Sequence, residues 1–236
     1  EYRGDLFTHN LHGHQLNREI LAPRDSAYLS SSHGQDTFYT PDKKYLAVDL
    51  KYGPDGAVYF IDWQDIQQCH VNDAARWDRS NGRLYRMSWK ETYKPAKFDD
   101  LSTASENELL SYLSHENEWF ARMAQNQVRQ RRSPPHNEFT GAFYGNLISA
   151  TRDRHHPYRF RHLVALDAFD AAGRLNTENY KRLLADPDES IRNHVLHLLT
   201  NNFKIGFDIF WEPKASEIFL KMAKTDSSAK VRLTLA

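Results

Sequence analysis

Three small groups of residues in the first third of the chain carry side chains able to do chemistry. His12 and His14 flank a glycine, and residues two apart on a strand share a face, so both imidazoles could reach one ion or one ligand. Asp62 and Asp65 stand on either side of Trp63, where carboxylates could bind calcium or serve as a general base. Cys69 and His70 sit together in a stretch that reads as a long loop. His12, His14, Asp62, Asp65 and His70 are therefore the catalytic candidates, with Asp62 and Asp65 doubling as candidate calcium ligands. Each has a structural alternative, in which strand-end histidines bond loop carbonyls and aspartates cap turns.

What is missing narrows the chemistry. The one cysteine, Cys69, excludes an internal disulfide, a Cys-rich zinc site and covalent haem attachment, which needs CxxCH. No Gly-rich phosphate loop, HExxH helix or Gly-x-Ser-x-Gly elbow occurs.

The elements that must position these residues change character near Trp89. Upstream, residues 2–10, 12–21, 45–51, 57–62 and 82–89 read as strands, separated by turns at 23–26, 34–35 and 53–56, the last being Gly-Pro-Asp-Gly. Short antiparallel runs of this kind suggest sandwich or propeller pieces, and five or six strands are too few to close a ring. Residues 1–92 are thus expected to be the last blades of an incomplete β-propeller, and the whole chain a multi-domain protein, β then α.

Downstream, in residues 93–236, a polar residue is followed five and nine positions later by apolar ones. His115/Phe120/Ala124, His155/Phe160/Val164, Asp186/Ile191/Val195 and Asp226/Val231/Leu235 fit, at spacings of 40, 31 and 40 residues. Shorter apolar runs at 109–113, 147–149, 180–184 and 218–222 precede them. The pattern predicts an α-solenoid of HEAT-type helix pairs, with the aspartates as N-caps of the second helices. The sixth position holds Arg161, Arg192 and Arg232, expected to form ion pairs between repeats, Asp186 being the nearest candidate partner of Arg192. A prolyl loop at 134–137 interrupts the array. His155-His156 lacks the third ligand that a metal would need.

Lys+Arg and Asp+Glu are both 31, which argues against a nucleic-acid partner, and no apolar run is long enough to span a bilayer. Charge is nonetheless uneven, since 99–118 holds six acids and no Lys or Arg, while 122–161 holds eight basic residues against Glu138 and Asp153. Both ends look cut, so the chain reads as an internal piece of a larger protein.

Taken together, YRGDLFTHNLHGHQLNREIL, LAVDLKYGPDGAVYFIDWQDIQQCH and WDRSNGRLYRM, followed by helical repeats, resemble a bacterial family of membrane-bound dehydrogenases abundant in planctomycete-type bacteria. The resemblance implies a propeller similar to quinoprotein sugar dehydrogenases, then HEAT repeats, then a c-type cytochrome domain with CxxCH outside this chain. It implies an exported or periplasmic oxidoreductase acting on a sugar-like or alcohol substrate, with a quinone-type cofactor and calcium, and with haem c only in the cytochrome domain. The alternative expectation is a non-catalytic scaffold binding protein or carbohydrate through its propeller and repeat surfaces.

Overall fold

The computed structural model describes residues 4–66, 72–132, 139–167, 177–201 and 213–236. Two compact units divide the chain, Glu1–Lys97 and Phe98–Ala236.

Among the described residues the first unit holds seven strands: β1 (Leu6–Asn10), β2 (Gln15–Arg24), β3 (Ala27–His33), β4 (Phe38–Tyr39), β5 (Ala47–Tyr52), β6 (Val58–Asp62) and β7 (Arg83–Met87). β1, β2 and β3 form an antiparallel meander, and β4 pairs with the start of β2, at Gln15 and Leu16, where β3 has ended. β5, β6 and β7 form a separate three-stranded antiparallel sheet. Asp25, at φ 51°, turns the chain between β2 and β3, and the segment 27–33, read from sequence as no element, pairs back as a strand. Asp49, at φ 63°, bulges β5 between Val48 and Lys51. Both are left-handed positions that aspartate tolerates better than most side chains. The core of the unit is aromatic: Tyr45, Ala47 and Phe60 are buried, with Phe38, Leu50, Tyr85 and Met87 packed on them.

Among the described residues the second unit holds eight α-helices: α1 (Glu106–Leu113), α2 (Glu118–Arg132), α3 (Gly141–Arg152), α4 (Arg159–Asp167), α5 (Thr177–Leu184), α6 (Glu189–Asn201), α7 (Pro213–Thr225) and α8 (Ala229–Thr234). They pack as α1 on α2, α3 on α4, α5 on α6 and α7 on α8, and α2, α4, α6 and α8 contact one another in succession. One continuous core joins them, from Ala104 through Leu147, Leu163 and Leu196 to Val231. Full burial of each such side chain contributes roughly 1.5–3 kcal/mol, and no single pair offers enough partners to achieve it. Their ends carry local signals: Ser105 and Glu108 make a reciprocal capping box, and Thr140 and Ser228 cap α3 and α8.

The expectation of propeller blades followed by a HEAT-type solenoid is overturned. Among the described residues the strands make one four-stranded and one three-stranded sheet, with no closed barrel or propeller. The pairing is the difference: β4 pairs back on β2 instead of adding beyond β3, and among the described residues the second sheet has three strands. The second helices of the pairs have 15, 9, 13 and 6 residues, so equal repeating units are not shown either. The prolyl loop at 134–137 lies outside the described residues.

Candidate functional site

Asp62 ends β6 and is buried, and its Oδ1 accepts from the backbone amides of Leu46 at 2.8 Å and Gln64 at 3.0 Å. His14, at φ 54°, donates from Nδ1 to the carbonyl of Tyr45 at 2.7 Å. Adjacent backbone groups of the Tyr45–Leu46 step are thus held from two sides, by a histidine in the turn just ahead of β2 and a carboxylate at the end of β6. Asp65 is also buried, and its Oδ2 accepts from the amide of Asp78 at 3.0 Å, tying the loop ahead of β7. His12 is exposed, and His70, with Cys69, lies outside the described residues.

Of the five candidates, the structure therefore brings His14 and Asp62 together, around one peptide step, and engages Asp65 elsewhere. Asp62 Oδ1 serves two amide donors, and among the described residues no group of three or more His, Cys, Asp or Glu is placed to hold a metal. His156 does not present a metal pair with His155 either: its Nδ1 accepts from the amide of Tyr158 at 3.2 Å, and its ring packs 4.8 Å from that of His162.

Sequence reasoning missed the residues around this junction. The His9 ring lies 4.9 Å from Phe60 and 6.2 Å from Tyr45, and Phe60 stacks on Tyr85 at 5.4 Å as a cross-strand pair of β6 and β7. Both ring nitrogens of His9, the hydroxyl of Tyr45 and Oδ2 of Asp62 are buried without a hydrogen-bond partner among the described residues. Burial lowers the His9 pKa, against the pull of the Asp62 charge, and burial with that same charge pushes the Tyr45 hydroxyl up. His9 is accordingly a neutral imidazole and Tyr45 a neutral phenol beside a carboxylate. The signal was the alternation of β1, which puts His9 on the same side as Phe7.

The opposite face of the second sheet is apolar and open. Val48, Ile61 and Leu84 are direct cross-strand neighbours on β5, β6 and β7, and they are 38%, 51% and 70% exposed. Trp63, two residues beyond Ile61, is exposed as well. Below this row the face turns polar: Tyr59 pairs across to Arg86, whose guanidinium stacks 4.2 Å from the Tyr93 ring, and both tyrosines donate to Asp55.

In the second unit the arginines are structural. Asp153, Asp186 and Asp226 each accept, through Oδ1, from the amide two residues on, at 2.9, 2.9 and 2.8 Å. Six residues after each stands an arginine: Arg159, Arg192 and Arg232. Arg159 makes a two-pronged pair with Asp186, at 3.2 and 2.5 Å, and Arg192 makes one with Asp226, at 2.9 and 2.7 Å. Arg159 and Arg192 thus each reach the turn of the following helix pair. Arg192 also donates to the carbonyls of Asp186 and Pro187, and Arg232 donates to that of Asp226.

This geometry corrects the repeat register in two ways. The second copy starts at Asp153 rather than His155, so Arg159, not Arg161, is the equivalent arginine; Phe160, taken as a buried position, is 40% exposed. Arg161 instead donates to the carbonyl of His115 at 2.6 Å. The aspartates are not the N-caps themselves: Ser228 caps α8, two residues after Asp226. Arg192 takes its carboxylate from Asp226, and from Asp186 only the backbone carbonyl.

No protein-family model, curated protein or solved structure matches this chain.

Proposed function

We propose that this chain is a non-catalytic binding scaffold whose β unit docks a protein partner on the outer face of its second sheet. The single observation that carries this reading is the exposed cross-strand row Val48–Ile61–Leu84 with Trp63 beside it. Three aliphatic side chains in register on a twisted sheet leave water unfavourably arranged over all of them at once, and a partner that covers them gains part of the roughly 1.5–3 kcal/mol that full burial of each would give. Aliphatic rows suit protein surfaces, whereas carbohydrate recognition relies on open aromatic faces. The oxidoreductase expectation rests on the sequence resemblance alone, because Asp62 and Asp65 spend carboxylate oxygens on backbone amides.

The test is a random peptide library selected on the immobilised chain and counter-selected on Leu84→Asp. Leu84 is so exposed that the substitution leaves the fold intact, which circular dichroism checks. Peptides rich in apolar residues that bind the wild-type chain and lose at least tenfold in affinity for the variant are the expected outcome. Equal binding to both would sink the reading, as would turnover in a dye-linked dehydrogenase assay with added quinone and calcium.

A further inference from the structure

Asn81 is the only asparagine of the chain that precedes a glycine, and Asp55 is the only aspartate that does. Both dipeptides are open to the same backbone reaction, because a glycine, with no Cβ, lets its amide nitrogen close on the carbonyl carbon of the preceding side chain. The fold treats the two differently.

Asp55–Gly56 is held on both reacting sides. The Asp55 carboxylate accepts from the Ala57 amide at 3.1 Å and from the Tyr59 and Tyr93 hydroxyls at 2.7 and 3.1 Å, and the Gly56 amide donates to the carbonyl of Gly53 at 3.1 Å. Asn81 and Gly82 are both exposed, in the link that leads into β7, and among the described residues the Gly82 amide makes no hydrogen bond. The Asn81 side chain is engaged through its nitrogen: Nδ2 donates to Asp78 Oδ2 at 2.7 Å and to Ser80 Oγ at 3.2 Å, and neither contact covers Cγ. The link is tied at its two ends, where the Asp78 amide donates to the buried Asp65 and where Arg83 pairs with Asp62, so the reacting pair lies in the exposed stretch between.

We propose that Asn81 is a site of spontaneous deamidation, at which the folded chain converts its Asn-Gly link into an aspartyl or isoaspartyl one. The Gly82 nitrogen attacks Cγ of Asn81; the N–Cγ bond forms, the Cγ–Nδ2 bond breaks, and ammonia leaves with the proton that the Gly82 nitrogen gives up. Water then opens the cyclic imide with no change of oxidation state. Opening at the Cγ carbonyl gives aspartate, and opening at the main-chain carbonyl gives isoaspartate, whose main chain is longer by one carbon. Either product exchanges an amide donor for a carboxylate beside Asp78. Ser80 first, and then Asn81, hold the Asp78 carboxyl down at about 2, so like charges come to stand where a donor and an acceptor met. The isoaspartyl form also lengthens the backbone just ahead of Arg83, the first residue of β7 to pair with β6. The reaction is independent of what the outer face of the second sheet binds.

The test incubates the intact chain in mildly alkaline buffer at physiological temperature, beside the same chain unfolded in guanidinium, until the unfolded chain has reacted. Digestion and mass spectrometry locate the exchange of NH2 for OH, and chromatography separates the isomeric peptides. The folded chain should react at Asn81 within a few-fold of the unfolded rate and ahead of its other asparagines, while Asp55 isomerises only in the unfolded chain. Gly82→Ala should slow the reaction several-fold by crowding the attack on Cγ. A Cβ at that position meets nothing nearer than the Asp62 carbonyl oxygen at 3.9 Å, an ordinary contact, so the fold is kept. An Asn81 that stays intact in the folded chain while it reacts in guanidinium overturns the proposal. So does a folded Gly82→Ala chain that reacts as fast as the parent, or isoaspartate appearing at Asp55 of the folded chain as fast as at Asn81.

Discussion

Truncating Arg192 to alanine is the sharpest test of how the helical unit is held. The guanidinium makes two bonds to the Asp226 carboxylate, at 2.9 and 2.7 Å, and two to backbone carbonyls, at 2.8 and 3.1 Å. Burial works against the charge of Asp226, yet Arg192 and the Ser228 amide still hold its carboxyl below the usual range. Removing the arginine leaves a buried carboxylate without its counter-charge, a change that costs about 3–5 kcal/mol, against about 0–1 for an exposed pair. For a unit of this size, each kcal/mol shifts the melting temperature by roughly 2–4 °C, so Arg192→Ala should lower it by roughly 6–20 °C. Arg122→Ala, at an exposed pair with Glu118 3.5 Å away, is the control and should move it by at most a few degrees. A double-mutant cycle with Asp226→Ala isolates the pair, because the second truncation should cost far less once the first is made. A shift no larger than that of the Arg122 control, or a coupling near zero, would refute the argument that the rung is a structural tie.

Further outcomes follow from the same contacts. Asp62→Ala should destabilise the β unit by about 2–5 kcal/mol in a urea titration, because two buried amides lose their acceptor; a near-wild-type midpoint would show that the clamp on Leu46 and Gln64 is not needed. His162 and His194 have pKa values lowered chiefly by burial, so the folded state resists their protonation and the helical unit should lose stability as pH falls through about 6.5. His162→Gln should flatten that loss in melting curves recorded from pH 8 to 5, and an unchanged slope counts against it. His33 goes the other way: its hydrogen bond to Glu19, with Asp36 on its other nitrogen, raises its pKa. The link between β2 and β3 is thus strongest below the ordinary histidine value and fades as pH rises through the raised one. An NMR titration placing His33 at or below the ordinary value would contradict it.

The sequence alone determined the sites of change and the local grammar of each element. The turns at 23–26 and 53–56, the apolar stripes at Leu109–Leu113 and at Ile191 and Val195, and the aspartate–arginine spacing are all local patterns, set by a few neighbouring residues and by periods of 2 and 3.6. Pairing was not legible. Residues 27–33 carry weak strand signal and become a strand because β2 offers an edge. Asp62 and His14 looked like chemistry because carboxylates and imidazoles are versatile; only the tertiary structure put the amides of Leu46 and Gln64 and the carbonyl of Tyr45 within their reach. The alternation of β1 places His9 on the side of Phe7, but its aromatic neighbours Tyr45 and Phe60 lie on another sheet, which only the tertiary structure brings to it. Likewise Arg192 lies six residues from Asp186 but takes its carboxylate from Asp226, 34 residues away, since a side chain on one helix reaches the next pair's turn through space rather than along the chain.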